Sequence, residues 1–310
     1  MPFERYATGE DLFASLDKEF DLLDRDLRPF IEEADQMQGI QVLTGLDDAW
    51  GGFAAKYLER VRDEYGKTAV FVWGNEHGDS FKPEQTREKR LLRLANKART
   101  LTEVYKYASV VVPFTVPFAT LDPTKLALDA GSQWHNTALL ATAMESVTLP
   151  SRLRDKANRD TLGTLADTLN AMGKQNVASL GMSFAPQPID EEEEEGSTDL
   201  RQRQLGKQKQ SGHAAVMAKE NPEGVFLDIN FTPSDQLDYI RRRGGGDGGD
   251  KRPRMFSQVI TSRGYEVDDE AQEAEEAEED ERFRRKSSYE PVTRRYVFPS
   301  FSFFMLVVCR

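Results

Sequence analysis

The residues best placed to do chemistry are Asp47, Asp48, Gly51 and Gly52, in the stretch "GLDDAWGGFAAKYLERVRDEYGK" at 45–67. An apolar run, "GIQVL", leads through a short glycine-containing turn into an amphipathic helix. In open α/β proteins such a turn holds a phosphate, because the free N–H groups and the dipole at a helix N-terminus favour an anion. Two carboxylates at the mouth oppose that use. At an effective dielectric of about 20, each carboxylate–phosphate pair at about 4 Å costs about 4 kcal/mol. The chain has no GxxxxGK[ST] pattern. Three roles remain for the aspartates: capping the helix, holding a magnesium ion that bridges to a nucleotide, or a role the sequence does not define. Capping is the simplest. Gly51 and Gly52 then mark a degenerate phosphate-loop position, with no cofactor expected.

Other candidate groups are sparse. One cysteine, Cys309, excludes a disulfide framework within the chain and a cysteine-based zinc cluster. The three histidines, His77, His135 and His213, are far apart in sequence, so no metal site is expected. His77 and His213 lie in loop-like sequence and read as solvent-exposed. No Ser/His/Asp spacing suggests a hydrolase, and no catalytic residue is expected. His135 and Asn136, in "SQWHNTALL", fit an ordinary helix that packs Trp134, Leu139 and Leu140. "RRRGGGDGGDKRPR" (241–254) is similar to arginine/glycine tracts that bind RNA through charge and stacking. It lacks interleaved aromatics and contains Asp247 and Asp250, so a flexible linker is the plainer reading.

The elements that must position the loop follow from periodicity. Leu12, Leu16, Phe20, Leu23 and Leu27 predict a helix over 10–27, and Pro29 marks a boundary or the first turn of a new helix. "FIEEADQMQ" continues helically to Gly39, and "IQVLT" (40–44) is the first strand. The helix after the loop places Phe53, Tyr57, Leu58, Val61 and Tyr65 on one face, with Gly66 where a left-handed cap is wanted. "TAVFVW" (68–73) reads as a strand covered on both faces, completing a βαβ unit. A helix over 84–107, a strand over 108–116, helices over 124–147 and 151–173, and a strand over 177–184 follow. Beyond them come a strand over 224–231 and a helix start at Thr232 or Ser234.

These elements divide 310 residues into a partial α/β domain (1–185), an acidic and Gln/Lys-rich linker (186–222) and a short strand–helix segment (223–243). A low-complexity Gly-rich and acidic region (244–288) and a C-terminal segment (289–310) complete the chain. The net charge of −12 is unevenly spread: 190–195 carries −6 and 266–281 carries −11, which leaves +5 for the rest. Both acidic runs are expected to be solvated and disordered. The start, "MPFERYATGEDLF", has no apolar signal region. The end, "YVFPSFSFFMLVVCR", is too short for a membrane span of about 20 residues. It reads as a buried strand, or as a coding sequence that stops early, which is the expectation here. The chain is expected to be intracellular and reduced.

"QGIQVL…WGGFAAKYLERVRDEYGK" resembles the tubulin pattern of a helix, "QGF", an apolar strand, "GGGTGSGF" and a helix ending "ERL..DYGK". Gln38-Gly39 match the first anchor and Gly52-Phe53 the second, while Glu59-Arg60 and Glu64-Tyr65-Gly66-Lys67 match the helix end. The loop is one residue shorter here and its first three glycines are lost. Over about residues 5–75, and more loosely to about 300, the chain is similar to the Misato family of tubulin-related proteins, implicated in mitochondrial distribution and inheritance. "LDINFTPSD" and "SSYEPVTRRY" are consistent with it.

The resemblance implies a partial tubulin-like parallel sheet flanked by helices, with disordered acidic insertions. Family members begin with a strand and a first phosphate loop, and this chain is expected to start after them, leaving a bare sheet edge and a poorly soluble fragment. It also places His135-Asn136 near the helix position that offers an asparagine to the guanine base. The implied function is non-enzymatic. The protein would act through contacts with cytoskeletal or mitochondrial-surface proteins, at the outer mitochondrial surface and in the cytoplasm. No direct DNA contact and no transmembrane segment are expected. The alternatives are a GTP-binding tubulin-like switch or polymer, and RNA binding through 241–254.

Overall fold

A computed structural model describes residues 3–77, 86–116, 126, 128–129, 132–154, 159–170, 173, 176–184, 227–233, 257–263, 292–298 and 303–309. Both acidic runs, the arginine/glycine tract, His213 and the helix expected after Thr232 or Ser234 lie outside them.

The chain opens with α1 (Tyr6–Phe20). Asp21 then adopts a left-handed conformation (φ 47°), and its N–H still bonds Asp17 O. Asp tolerates that region because its short polar side chain bonds locally. The single helix expected over 10–27 is therefore two pieces, α1 and a π-helical turn at Leu23–Leu27. The turn runs into α2 (Arg28–Glu33), with Pro29 in its first turn. The helix does not continue to Gly39, which instead starts β1 (Gly39–Gly45).

β1, α3 (Ala49–Glu64), β2 (Ala69–Asn75), α4 (Arg87–Tyr107) and β3 (Val110–Phe114) form a βαβαβ unit around a parallel sheet in the order β1-β2-β3. β2 is central and buried on both faces, which explains its unbroken apolar run. Val70 and Val72 join a core with Tyr6, Leu23, Leu58, Val61 and Val104 from the helices on one side. Phe71 and Trp73 face a second core on the other side, with Val110, Val112 and Phe114. Removing the Trp73 ring would cost about 3–5 kcal/mol. Among the described residues nothing pairs with the outer edge of β1, where Leu43 is 63% exposed.

Helix α3 ends at Tyr65, not through a left-handed Gly66. Its last turn is tied down by Arg62, which donates to Tyr107 O, Gly66 O and Thr68 O. The helix expected over 124–147 begins later, as α5 (Gln133–Thr148). Ahead of it Leu126 and Leu128 reach the second core from non-helical backbone. The one over 151–173 is a 3-10 turn (Leu149–Arg152) and α6 (Leu162–Leu169), capped by Thr161.

A second sheet, in the order β5-β4-β8-β6-β7, combines β4 (Ala178–Phe184), β5 (Leu227–Asn230), β6 (Ser257–Arg263), β7 (Val292–Phe298) and β8 (Phe303–Cys309). It is antiparallel except for β6 with β7. β6 falls within 244–288, where composition alone shows low complexity. A parallel bridge, Val111 to Val177, joins the two sheets. The second core runs through both, taking in Leu180, Met182, Ile229, Phe231 and Val259.

Candidate functional site

The loop between β1 and α3 is anchored before it reaches the aspartates. Leu46 is fully buried and its N–H bonds Asn75 O (2.9 Å). It fits because β2 carries Gly74, where a Cβ would fall 2.4 Å from Leu46 Cδ1.

Asp47 is buried and turned toward the end of β2. One carboxylate oxygen accepts the His77 backbone N–H (3.2 Å), and the other lies 2.9 Å from His77 Nδ1. The hydrogen bond to Asp47 holds the His77 imidazole above its ordinary pKa, against the effect of burial. From α4, Asn96 Nδ2 donates to Asp47 O (3.1 Å) and to Glu4 O (2.6 Å), and Asn96 Oδ1 accepts from Tyr6 N (3.1 Å). One amide thus binds the start of α1, the loop and α4 together.

Asp48 is the N-cap of α3. Its carboxylate accepts from Trp50 N at 2.9 Å. Burial raises its pKa, and the Trp50 N–H opposes that rise. The anion at the head of this helix is the protein's own side chain.

Gly51 and Gly52 are both buried and point into neighbouring helices. A Cβ on Gly51 would fall 2.1 Å from Thr100 Oγ1 of α4; one on Gly52 would fall 2.1 Å from Tyr6 O of α1. Gly9 is the reciprocal position on α1, 1.8 Å from Ala49 O. These three glycines let the first turn of α3 touch the backbone of α1 and the side chain of Thr100. Asp48, Gly51 and Gly52 thus have local structural roles.

Behind the loop, Lys97 Nζ and Glu76 Oε2 form a 2.7 Å ion pair, with side chains 9% and 10% exposed. Asp47, Asp48 and His77 place one donor atom each within 4.8 Å of one another, the one such group among the described residues. Distance in sequence did not reveal it, because β2 carries His77 back to the loop. The donor types suit a divalent cation, but Asp47 already holds His77 and Asp48 already caps α3. An ion bound there would compete with the His77 Nδ1–Asp47 contact, whereas each carboxylate has further lone pairs, so the α3 cap need not break.

A groove of about 720 Å³ opens beside the loop, at the C-terminal ends of the three parallel strands. Leu43, Trp50, Phe114, Leu140 and Met144 form its apolar walls, and Thr44, Asn75 and Arg152 bring polar groups. Open α/β sheets bind ligands at this end. Asp47, Asp48, Gly51 and Gly52 do not line it, and neither do His135 and Asn136. His135 instead stabilises the start of α5, where its Nδ1 accepts from Asp129 N (3.1 Å).

Sequence reading missed Asn96, Lys97, Glu76 and Thr100. The one signal was polar residues at 96, 97 and 100 on the helix face that later buries Val104.

A parallel βαβαβ sheet with helices on both faces and a loop-to-helix junction at its C-terminal end is an open α/β arrangement consistent with a tubulin-like fold. Comparison with known sequences agrees. Residues 1–153 match the family described as "Tubulin domain". The chain is 78% identical to "Protein dml-1" of Neurospora crassa over 302 residues, covering 96% of this chain and 55% of the relative. It is 44% identical to "Protein DML1" of Gibberella zeae over 263 residues (84% and 51%). It is 34% identical to "Protein misato homolog 1" of Mus musculus over 183 residues (57% and 32%). The chain belongs to the Misato family of tubulin-related proteins. It spans about half the length of the first two relatives. Among the described residues, no helix is long and apolar enough to cross a membrane.

Proposed function

We propose that the chain is part of a non-enzymatic scaffold for mitochondrial distribution and inheritance, acting through protein contacts in the cytoplasm and at the outer mitochondrial surface. The mitochondrial role follows from the family resemblance. The observation that carries the non-enzymatic part is Asp48, whose carboxylate takes the anion position at the head of α3. Gly51 and Gly52 support it, since both are committed to helix packing. A phosphate entering here would displace a carboxylate and meet the charge of Asp47.

The groove beside the loop favours a second reading, a GTP-binding tubulin-like switch. Equilibrium binding of labelled GTP, with and without magnesium, separates the two. The scaffold reading expects no saturable binding in either condition. In a full-length context, Asp47→Ala/Asp48→Ala is expected to leave mitochondrial distribution intact. Abnormal segregation by a folded, abundant variant would overturn the scaffold reading.

A further inference from the structure

Helix α4 buries Asn96, Lys97, Thr100 and Val104 and turns its opposite face to solvent. One stripe of that exposed surface is apolar, beside exposed Arg99, Thr102 and Lys106. Leu91 is 54% and Leu94 55% exposed, and Ala95 and Ala98 are exposed beside them. Leu101, partly buried against the core, and 43%-exposed Tyr105 extend the line. Positions 91, 94, 98, 101 and 105 follow the alternating three- and four-residue spacing of a heptad seam, about 21 Å long at 1.5 Å per residue. Large exposed apolar side chains aligned in this way mark an interaction site.

The charge beside the seam is one-sided. α4 carries Arg87, Lys89, Arg90, Arg93, Lys97, Arg99 and Lys106 against Glu88 and Glu103, a net +5. Lys89, Lys97, Arg99 and Lys106 are paired with Glu4, Glu76, Glu10 and Glu103, but among the described residues Arg87, Arg90 and Arg93 make no ion pair. Arg87 and Arg90 are exposed in the first turn, where the helix dipole is already positive, whereas Arg93 is partly buried and its charge acts on His77. We propose that the outer face of α4 docks an amphipathic helix of a partner protein, with acidic residues flanking its apolar stripe.

A helix is favoured by the heptad spacing and by Ala98 mid-seam with Ala95 beside it, which let a second backbone approach. A lipid surface is better served by bulky residues along the whole face. Self-pairing is disfavoured by charge. Two parallel α4 helices would set Arg87, four residues before Leu91 on the same seam, against its own copy, and antiparallel ones would still sum positive. The inference names a partner class for the scaffold reading. Its test uses neither nucleotide nor mitochondria, so the two fail separately.

The probe is a fluorescent designed peptide with Leu at its a and d positions and Glu at e and g, and the control is a scrambled peptide of the same composition. Fluorescence anisotropy with the full chain should show saturable binding of the patterned peptide that weakens with salt. Leu91→Ser/Leu94→Ser should weaken it at least tenfold without changing the far-UV circular dichroism. Arg87→Gln/Arg90→Gln should weaken it and flatten its salt dependence. Failure to bind, equal binding of the scrambled peptide, or unchanged binding by the double-serine variant would overturn the proposal. So would sedimentation with phosphatidylserine vesicles, or self-association, that depends on Leu91 and Leu94 while the peptide is ignored.

Discussion

Replacing Gly52 with alanine tests what the loop glycines are for, because the two readings predict opposite signs. On an unhindered helix the change should stabilise, since glycine costs about 1 kcal/mol relative to alanine in a helix interior. If Gly52 served only the close approach of a phosphate, stability would rise by up to about that amount. The new Cβ would instead sit 2.1 Å from Tyr6 O and 3.2 Å from Glu10 N, the first a backbone atom that cannot rotate away. Helices α1 and α3 must separate by roughly an ångström or more. Overpacking of this kind costs about 1–3 kcal/mol, and more where backbone must move. The expected outcome is a net loss of about 1–3 kcal/mol, even after the propensity gain. Urea denaturation followed by circular dichroism reads it. Gly163→Ala is the matched control, because its nearest neighbour, Thr161 Oγ1, lies at 3.5 Å. It should be neutral or stabilising. A Gly52→Ala protein as stable as the parent would refute the packing account and return the glycine to the phosphate reading.

Asp48→Ala should cost about 0.5–2 kcal/mol by removing the cap of α3, and Asp48→Asn should recover most of it in the same denaturation assay. Asn96→Ala removes three hydrogen bonds, so a loss of about 3 kcal/mol is expected at about 1 kcal/mol each; thermal melts would show it, and a loss below that of Asp48→Ala would contradict Asn96 as the tie between α1, the loop and α4. Lys97→Met removes the paired cation from the buried Glu76 carboxylate and should cost up to about 3–5 kcal/mol, whereas Lys97→Met/Glu76→Gln should recover much of it. His77 has a raised pKa in the fold, so its contribution with Asp47 is fully present below the unfolded value and fades as pH rises through the folded one. Stability measured against pH should lose that component in His77→Ala, and an unchanged profile would remove His77–Asp47 as a source of pH dependence.

The parallel half of the fold is largely legible from periodicity. The apolar runs of β1, β2 and β3 and the stripe of α3 survive because burial on one or both faces leaves a simple pattern. Boundaries failed where polar residues decided them. Asp21 breaks a helix that leucine spacing carries through, and nothing in the spacing marks a left-handed aspartate. Leu126 and Leu128 alternate into the core with period two, and a short apolar stretch cannot distinguish that from a helix start. Of the site, the capping role of Asp48 was readable because the chemistry is local. The roles of Asp47, Gly51 and Gly52 were not, since their partners His77, Thr100 and Tyr6 are set by tertiary packing. Asn96 was hidden for the same reason.

The order of the second sheet also sets a clock. β4 borders β5 on one side and β8 on the other, and its pairing with β8 starts at Phe184 with Phe303. The three described parallel strands have all emerged from the ribosome once Phe114 has, yet one edge of β4 must wait for a strand more than a hundred residues downstream. At about 5–20 residues per second, that wait lasts on the order of 6–25 s. Throughout it, Leu180 and Met182 belong to a sheet edge with backbone groups still unpaired. The nascent chain therefore passes through a period in which chaperones, or other strands, compete for β4 before β8 exists.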